Sequence, residues 1–178
     1  MTTMKMSPEL EKLFNDQITL EFGASMVYRQ LAIEMEDNDF PGAAQWLRHQ
    51  ADEEIVHANK FIDHLADRGN HPSIGTISAP KSPGTTMLKV FNAALAHEQK
   101  VSAAIRGLVN AAEAEGDLDS RPLLNWFLSE QIEEESTVSE IIGRIQLIGD
   151  DGVGLYQLDL ELAQRPVATT ENTGGSPH

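Results

Sequence analysis

Four long segments of this chain repeat apolar residues at steps of three and four, and a glutamate interrupts each repeat near its middle. The first segment carries Leu10, Phe14, Gln17, Glu21, Ala24, Tyr28 and Leu31. The second carries Leu47, Gln50, Glu54, His57, Phe61 and Leu65. The third carries Leu88, Phe91, Leu95, Glu98, Ser102, Ile105 and Val109. The fourth carries Leu124, Phe127, Gln131, Glu134, Val138, Ile141, Ile145 and Ile148. Such spacing places each set on one face of a helix, and four helices with one apolar face each must bury those faces on one another. No alternating pattern of useful length suggests a strand.

The helix limits follow from local signals. The first helix is expected from about Pro8 to Asp37, with Ser7 as N-cap and Pro8 at the first helical position. The others are expected from about Gly42 to Arg68, from about Gly84 to Glu115 and from about Asp119 to Ile148, each stopped by a glycine: Gly69, Gly116 and Gly149. The connections "DNDFP" and "EGDLD" are short and join antiparallel neighbours. The segment "RGNHPSIGTISAPKSP" (68–83) is different. Fully extended, about 16 residues reach about 53–58 Å, whereas a helix of about 27 residues is about 40 Å long. It can run the length of the bundle and make the second and third helices parallel. The expected fold is all-α: a four-helix bundle with one long crossover.

After Gly149, Leu155, Leu158 and Leu162 are spaced for a short fifth helix, which needs a surface to pack on. With Leu160 they would form an apolar patch, and four filled stripes leave little room for it within the same chain. Burial against copies of the chain is the expected outcome. Residues 1–163 are read as one domain and 164–178 as a polar, disordered tail.

Composition narrows the partners. Thirteen basic and 28 acidic residues give a net charge of −15, which disfavours nucleic acid and anionic membranes and suits cations. No apolar run approaches the roughly 20 residues that span a bilayer, and no secretory signal is visible at the N-terminus. Cysteine is absent, which excludes disulfides and thiolate chemistry and is compatible with a reducing cytoplasm.

The four glutamates lie at matched heights. Glu21, Glu54, Glu98 and Glu134 each fall about 12–15 residues into their helices, a spread of about 4.5 Å of rise. A residue at mid-height stays there whichever way its helix runs, so all four carboxylates meet in one layer of the core. His57, three residues after Glu54, points into the same layer. Burying four such groups without compensation is unfavourable. Either they take up protons or cations bind among them. Oxygen ligands with one imidazole suit a hard or borderline divalent ion such as iron or manganese, and a set of this size suits two ions.

With these residues in view, the chain resembles the ferritin family, specifically its haem-free bacterial and archaeal members. The stretches that carry the likeness are "LEFGASMVY" (20–28), "DEEIVHA" (52–58), "AHEQKV" (96–101), "NWFLSEQIEEE" (125–135) and "GLYQLDLEL" (154–162). The family's pattern is a Glu from each of two helices and a Glu-x-x-His from the other two. The resemblance implies that Glu21, Glu54 and His57 hold a first iron, with Glu54 bridging. It implies Glu98 as ligand of a second, beside Gln131 and Glu134, and Tyr28 as the tyrosine next to the pair. Glu53, Glu130 and Glu133 match a third iron position. Two departures matter: the second pair here is Gln131-x-x-Glu134, so the site is asymmetric, and Ile55 stands where haem-binding relatives carry Met, so no haem is expected. The implied function is a cytoplasmic iron-storage ferroxidase that oxidises Fe(II) with O2 or peroxide and stores Fe(III) in a hollow shell of twenty-four subunits. The alternative is a small di-iron or di-manganese oxidase or oxygenase without a shell.

Overall fold

The computed structural model describes residues 4–166. Among them every regular element is helical: α1 (Pro8–Asp37), α2 (Pro41–Asp67), α3 (Met87–Glu115), a 3-10 turn (Leu118–Ser120), α4 (Arg121–Ile148) and α5 (Gly152–Leu162). The Ser7 hydroxyl caps α1 by accepting from the Leu10 N–H at 3.0 Å. Two starts fall later than the sequence suggests. The third helix, expected from about Gly84, begins at Met87 and is capped by Thr86 through the Lys89 N–H. Before α4 the chain makes the 3-10 turn because Asp117 and Ser120 are engaged by Arg68, with Asp117 carboxylate contacts at 2.7 and 2.8 Å. The stops agree: Gly69, Gly116 and Gly149 all adopt positive φ, which glycine enters without a Cβ clash.

Two apolar clusters fill the bundle. One joins Tyr28, Leu31 and Met35 of α1, Ala43 and Leu47 of α2, Val90 and Phe91 of α3, and Val138, Ile141 and Ile145 of α4. The other joins Leu10 and Phe14, Phe61 and Leu65, Ile105 and Leu108, and Leu124 and Phe127. The start of α2 and the start of α3 therefore lie at the same end, so these helices are parallel. Residues 68–86 make the crossover between them. It lies along α1: the Ser73 N–H donates to Asn15 Oδ1 at 2.8 Å, and the Gly75 N–H to Thr19 Oγ1 at 2.8 Å. The glutamate layer sits between the two clusters.

The expected stripes of α1, α2 and α4 are buried apart from a half-buried Ile148. That of α3 is rotated slightly: Leu88, Leu95 and Val109 are half-buried, while Val90, Ala94, Val101 and Leu108 are fully inside.

The fifth helix departs from expectation. Leu158 and Leu162 are buried in their own chain, against the cluster that includes Ala43 and Trp46. Leu155 is half-buried, and Leu160 alone of the four leucines is exposed. The bundle has room because α2 starts on small residues, Gly42, Ala43 and Ala44. Phe40, at the N-cap of α2, supplies no side-chain acceptor. Asp159 supplies it from α5, accepting from the N–H groups of Gly42 (3.1 Å) and Ala43 (2.7 Å). Of the segment read as tail, Gln164 to Pro166 are described, and Arg165 lies over the Trp46 ring at 4.3 Å. Residues 167–178 lie outside the described residues.

Candidate metal centre

Each of the four expected glutamates reaches the interior layer: Glu21, Glu54, Glu98 and Glu134 are all buried, as are His57 and Gln131. On the α1–α2 side, Glu21, Glu54 and His57 bring ligand atoms within 4.8 Å of one another. His57 Nδ1 lies 3.2 Å from Glu54 Oε2 and 3.9 Å from Glu21 Oε2. The imidazole is held edge-on by Trp126 and Phe127. On its other side Nε2 lies 3.9 Å from Glu130, and His57, Glu130 and Glu134 form a second group of converging ligand atoms.

On the α3–α4 side, Glu98 is held by two partners. The Tyr28 hydroxyl donates to Glu98 Oε1, and Gln131 Nε2 donates to Glu98 Oε2 at 3.1 Å. Gln131 also lies 3.2 Å from Ser102 Oγ. Of the three outer carboxylates, Glu130 is half-buried against His57, Glu53 is ion-paired with Arg165 at 2.9 Å, and Glu133 is exposed. Glu53 and Glu133 belong to neither converging group.

Sequence reading placed Gln17 and Gln50 on inward stripes without giving them a role. Both act as neutral donors. Gln17 Nε2 donates to Glu21 at 2.8 Å; Gln50 Nε2 donates to Glu54 at 3.0 Å and to Glu134 at 2.9 Å. The signal was present in the i, i+4 spacing of each Gln–Glu pair. Arg165 carried no such signal.

The electrostatics show how strained the layer is without a cation. Burial, together with the charge of Glu54, holds the Glu21 carboxyl well above the usual carboxylate range. Burial and the charges of Glu98 and Glu54 do the same to Glu134. Glu98 is raised to about 7, chiefly by burial and then by Glu54, with Tyr28 and Gln131 working against it. Burial alone would raise Glu54, but hydrogen bonding and charge from His57, with help from Gln50, outweigh it and lower Glu54. Burial alone would depress His57, but Glu54, Glu21 and Glu134 outweigh it and raise the imidazole to about 10. Burial and the Glu98 carboxylate keep Tyr28 a neutral phenol. In the protein alone, protons therefore do the work of counter-ions. One oxygen of the layer remains unsatisfied: Glu21 Oε2 is buried without a hydrogen-bond partner, a costly state for a buried polar atom. That oxygen faces Glu54 and His57, so the donor set fits a divalent cation, for which it would be a ligand.

The chain has relatives among known proteins. The model of the ferritin-like domain matches residues 11–148. The chain belongs to the ferritin-like family. Among its relatives, the bacterial non-heme ferritin of Escherichia coli is 35% identical over 158 residues, covering 89% of this chain and 96% of that one. The bacterial non-heme ferritin of Staphylococcus haemolyticus is 38% identical over 160 residues, covering 90% and 96%. The fold agrees equally well with solved ferritins. A closed form of the Archaeoglobus fulgidus ferritin made by site-directed mutagenesis superposes with a TM-score of 0.89 at 31% identity, over 91% of this chain and 99% of that one. A humanized archaeal ferritin gives 0.90 at 31% identity, over 93% and 100%. The buried groups of the layer all come from one chain. No helix among the described residues is long and apolar enough to cross a membrane.

Proposed function

We propose that this ferritin-like protein is an iron-storage ferroxidase, which takes Fe(II) as substrate at the carboxylate layer and retains Fe(III) as mineral. The observation that carries the reading is the convergence of Glu21, Glu54 and His57 across the core from Glu98, Gln131 and Glu134. Glu21, Glu54 and His57 would hold one Fe(II). Glu98 and Glu134, beside the Gln131 amide, would hold the other, with Glu54 shared between them. Two Fe(II) then give up electrons to O2 or H2O2. The chain's own part is to fix the ligands, release their protons to solvent and exclude bulk water. Tyr28 keeps Glu98 pointed inward. The neutral Gln131 makes the second position the weaker of the two, which suits an ion that passes through. Glu130, with Glu53 and Glu133 farther out, would take a third iron on its way from the pair.

Relatives named non-heme ferritins support iron storage as the purpose, and the family resemblance supports a twenty-four-subunit shell in the cytoplasm. With Ile55 where haem-binding relatives have Met, no axial thioether is offered and no haem is bound. An oxidase acting on an organic substrate would need an apolar chamber at the layer. The cavity of about 330 Å³ that reaches Gln131 between α3 and α4 is instead a surface groove of mixed lining, with exposed Arg106, Ile132 and Ser139 among its walls beside Ser102, Ile105, Leu128 and Glu135.

The test is to add Fe(II) anaerobically, admit air, and measure oxidation and the iron that co-elutes with protein. Tight binding of about two Fe(II) per chain, rapid oxidation and retention of many more iron atoms per chain are expected. Retention of about two would favour a fixed di-iron enzyme, and retention of none would remove the metal reading.

A further inference from the structure

Arg165 stands just beyond α5 and makes four contacts with α2. Its guanidinium covers the Trp46 ring at 4.3 Å. Nη1 donates to the Trp46 carbonyl at 3.1 Å, and Nη2 donates to both Gln50 Oε1 and Glu53 Oε2 at 2.9 Å. Its backbone N–H donates at 3.2 Å to the carbonyl of Leu162, the last residue of a helix fixed by buried Leu158 and Leu162 and by the Asp159 cap on Gly42 and Ala43. The arginine is thus held in place from both ends.

Gln50 is the link to the interior. It is fully buried, and its amide could face the glutamates with either its oxygen or its nitrogen. Oxygen toward Glu54 and Glu134 would set acceptor against acceptor. Guanidinium is donor-only, so the amide must turn its oxygen to Arg165. Its two N–H donors are then left for Glu54 at 3.0 Å and Glu134 at 2.9 Å. Those carboxylates come from α2 and α4, so one oriented amide ties together the two halves of the layer. The same arginine nitrogen also holds Glu53 Oε2.

We propose that Arg165 is a positioning residue for the metal layer: it orients Gln50, and through it Glu54 and Glu134, while occupying Glu53 as a tethered cation. This rests on the metal-holding reading of the layer. An ion that uses Glu53 must first displace the arginine, so the inner layer fills before the outer carboxylates.

The test uses the full-length assembled protein and Co(II), whose visible d–d bands report ligand geometry and whose titration gives affinity. Arg165→Gln is expected to weaken Co(II) binding at the inner layer about tenfold, within the range seen when groups that orient ligands are lost, and to shift the d–d bands. Arg165→Lys is also donor-only and can still hold the Gln50 oxygen outward, but one ammonium does not reproduce the stacked, forked contacts, so a partial recovery of affinity is expected. In a Gln50→Ala background, Arg165→Gln should add nothing further, because the two act in series. A purely structural role would lower the melting temperature and leave the bands of the folded protein unchanged. Unchanged bands and affinity in Arg165→Gln, a Lys variant no better than the Gln variant, or additive losses in the double variant would each overturn the inference while leaving the metal reading intact. A wild-type chain that takes up no Co(II) would overturn both.

Discussion

The Gly42 N–H donates to the Asp159 carboxylate at 3.1 Å, across 117 residues of chain. The contact is so close that a Cβ on Gly42 would lie 1.9 Å from the Asp159 carbonyl oxygen. Glycine is required there by proximity, and the first turn of α2 is capped by the last turn of α5. Asp159→Ala should cost about 1–2 kcal/mol, the usual worth of a helix cap. Gly42→Ala should cost about 1–3 kcal/mol through overpacking and should loosen α5. Urea denaturation and hydrogen exchange of α5 amides would show both; wild-type protection of α5 in Gly42→Ala would contradict the packing described.

Glu54→Ala should separate stability from chemistry. It leaves His57 without its ion-pair partner but also relieves the repulsion on Glu21, Glu98 and Glu134, so the metal-free protein should lose at most the roughly 3–5 kcal/mol of a broken buried pair and stay folded. Fe(II) oxidation should fall at least about 100-fold, the upper range for disturbing ligand support. Stopped-flow absorbance on protein shown to be folded by circular dichroism is the measurement. Oxidation at the wild-type rate would remove Glu54 from the centre.

The pH dependence of the metal-free protein follows from Glu98 and His57. Both have folded-state values above their ordinary ones, Glu98 at about 7 and His57 at about 10. A raised group contributes stability that is fully present below its unfolded value and lost as pH rises through the folded one. The Glu98 contribution therefore fades from about 4.5 to about 7, and that of His57 from about 6.5 to about 10. With EDTA present, unfolding free energy should fall between pH 5.5 and pH 8, and Glu98→Gln should lose less over that interval. Equal slopes for wild type and variant would be the contrary result.

Assembly should depend on the outward face of α5. Val153, Tyr156 and Leu160 are exposed there, whereas Leu158 and Leu162 belong to the bundle. Leu160→Glu should therefore weaken association with little change in the monomer, whereas truncation after Gly149 should weaken both by uncapping α2 as well. Light scattering at low and high salt would show this. A Leu160→Glu protein of full size at both salts would place the contacts elsewhere.

Much of this architecture was legible in the residue spacing, for a physical reason. A side chain at every third or fourth position has no freedom to leave its helix face, so Glu21, Glu54, Glu98 and Glu134 could be placed before any coordinates. The phase of α3 was less legible because alanines such as Ala94 and Ala112 are buried without raising the apolar signal that Leu88 and Leu95 give. The roles of Asp159 and Arg165 were not legible at all. Each acts on a partner more than 100 residues away through polar contacts that leave no periodic trace. The burial of α5 was missed for the same cause: the notch at Gly42, Ala43 and Ala44 is a surface shape, visible only when both helices are in place.

The short connections divide the bundle into two hairpins, and the division has a kinetic meaning. The α1–α2 hairpin holds Glu21, Glu54 and His57; the α3–α4 hairpin holds Glu98, Gln131 and Glu134. Each can form from local contacts with only part of the charge in place. The full repulsion arises when the hairpins dock and the Tyr28–Glu98 and Gln50–Glu134 bonds close. Docking is then the step that protons or divalent ions accelerate, and refolding should quicken with added Mn(II) in wild type but not in Glu54→Ala. The crossover pinned along α1 shortens the search for that docking, so newly made chains would complete their cores fastest where a divalent ion is already at hand.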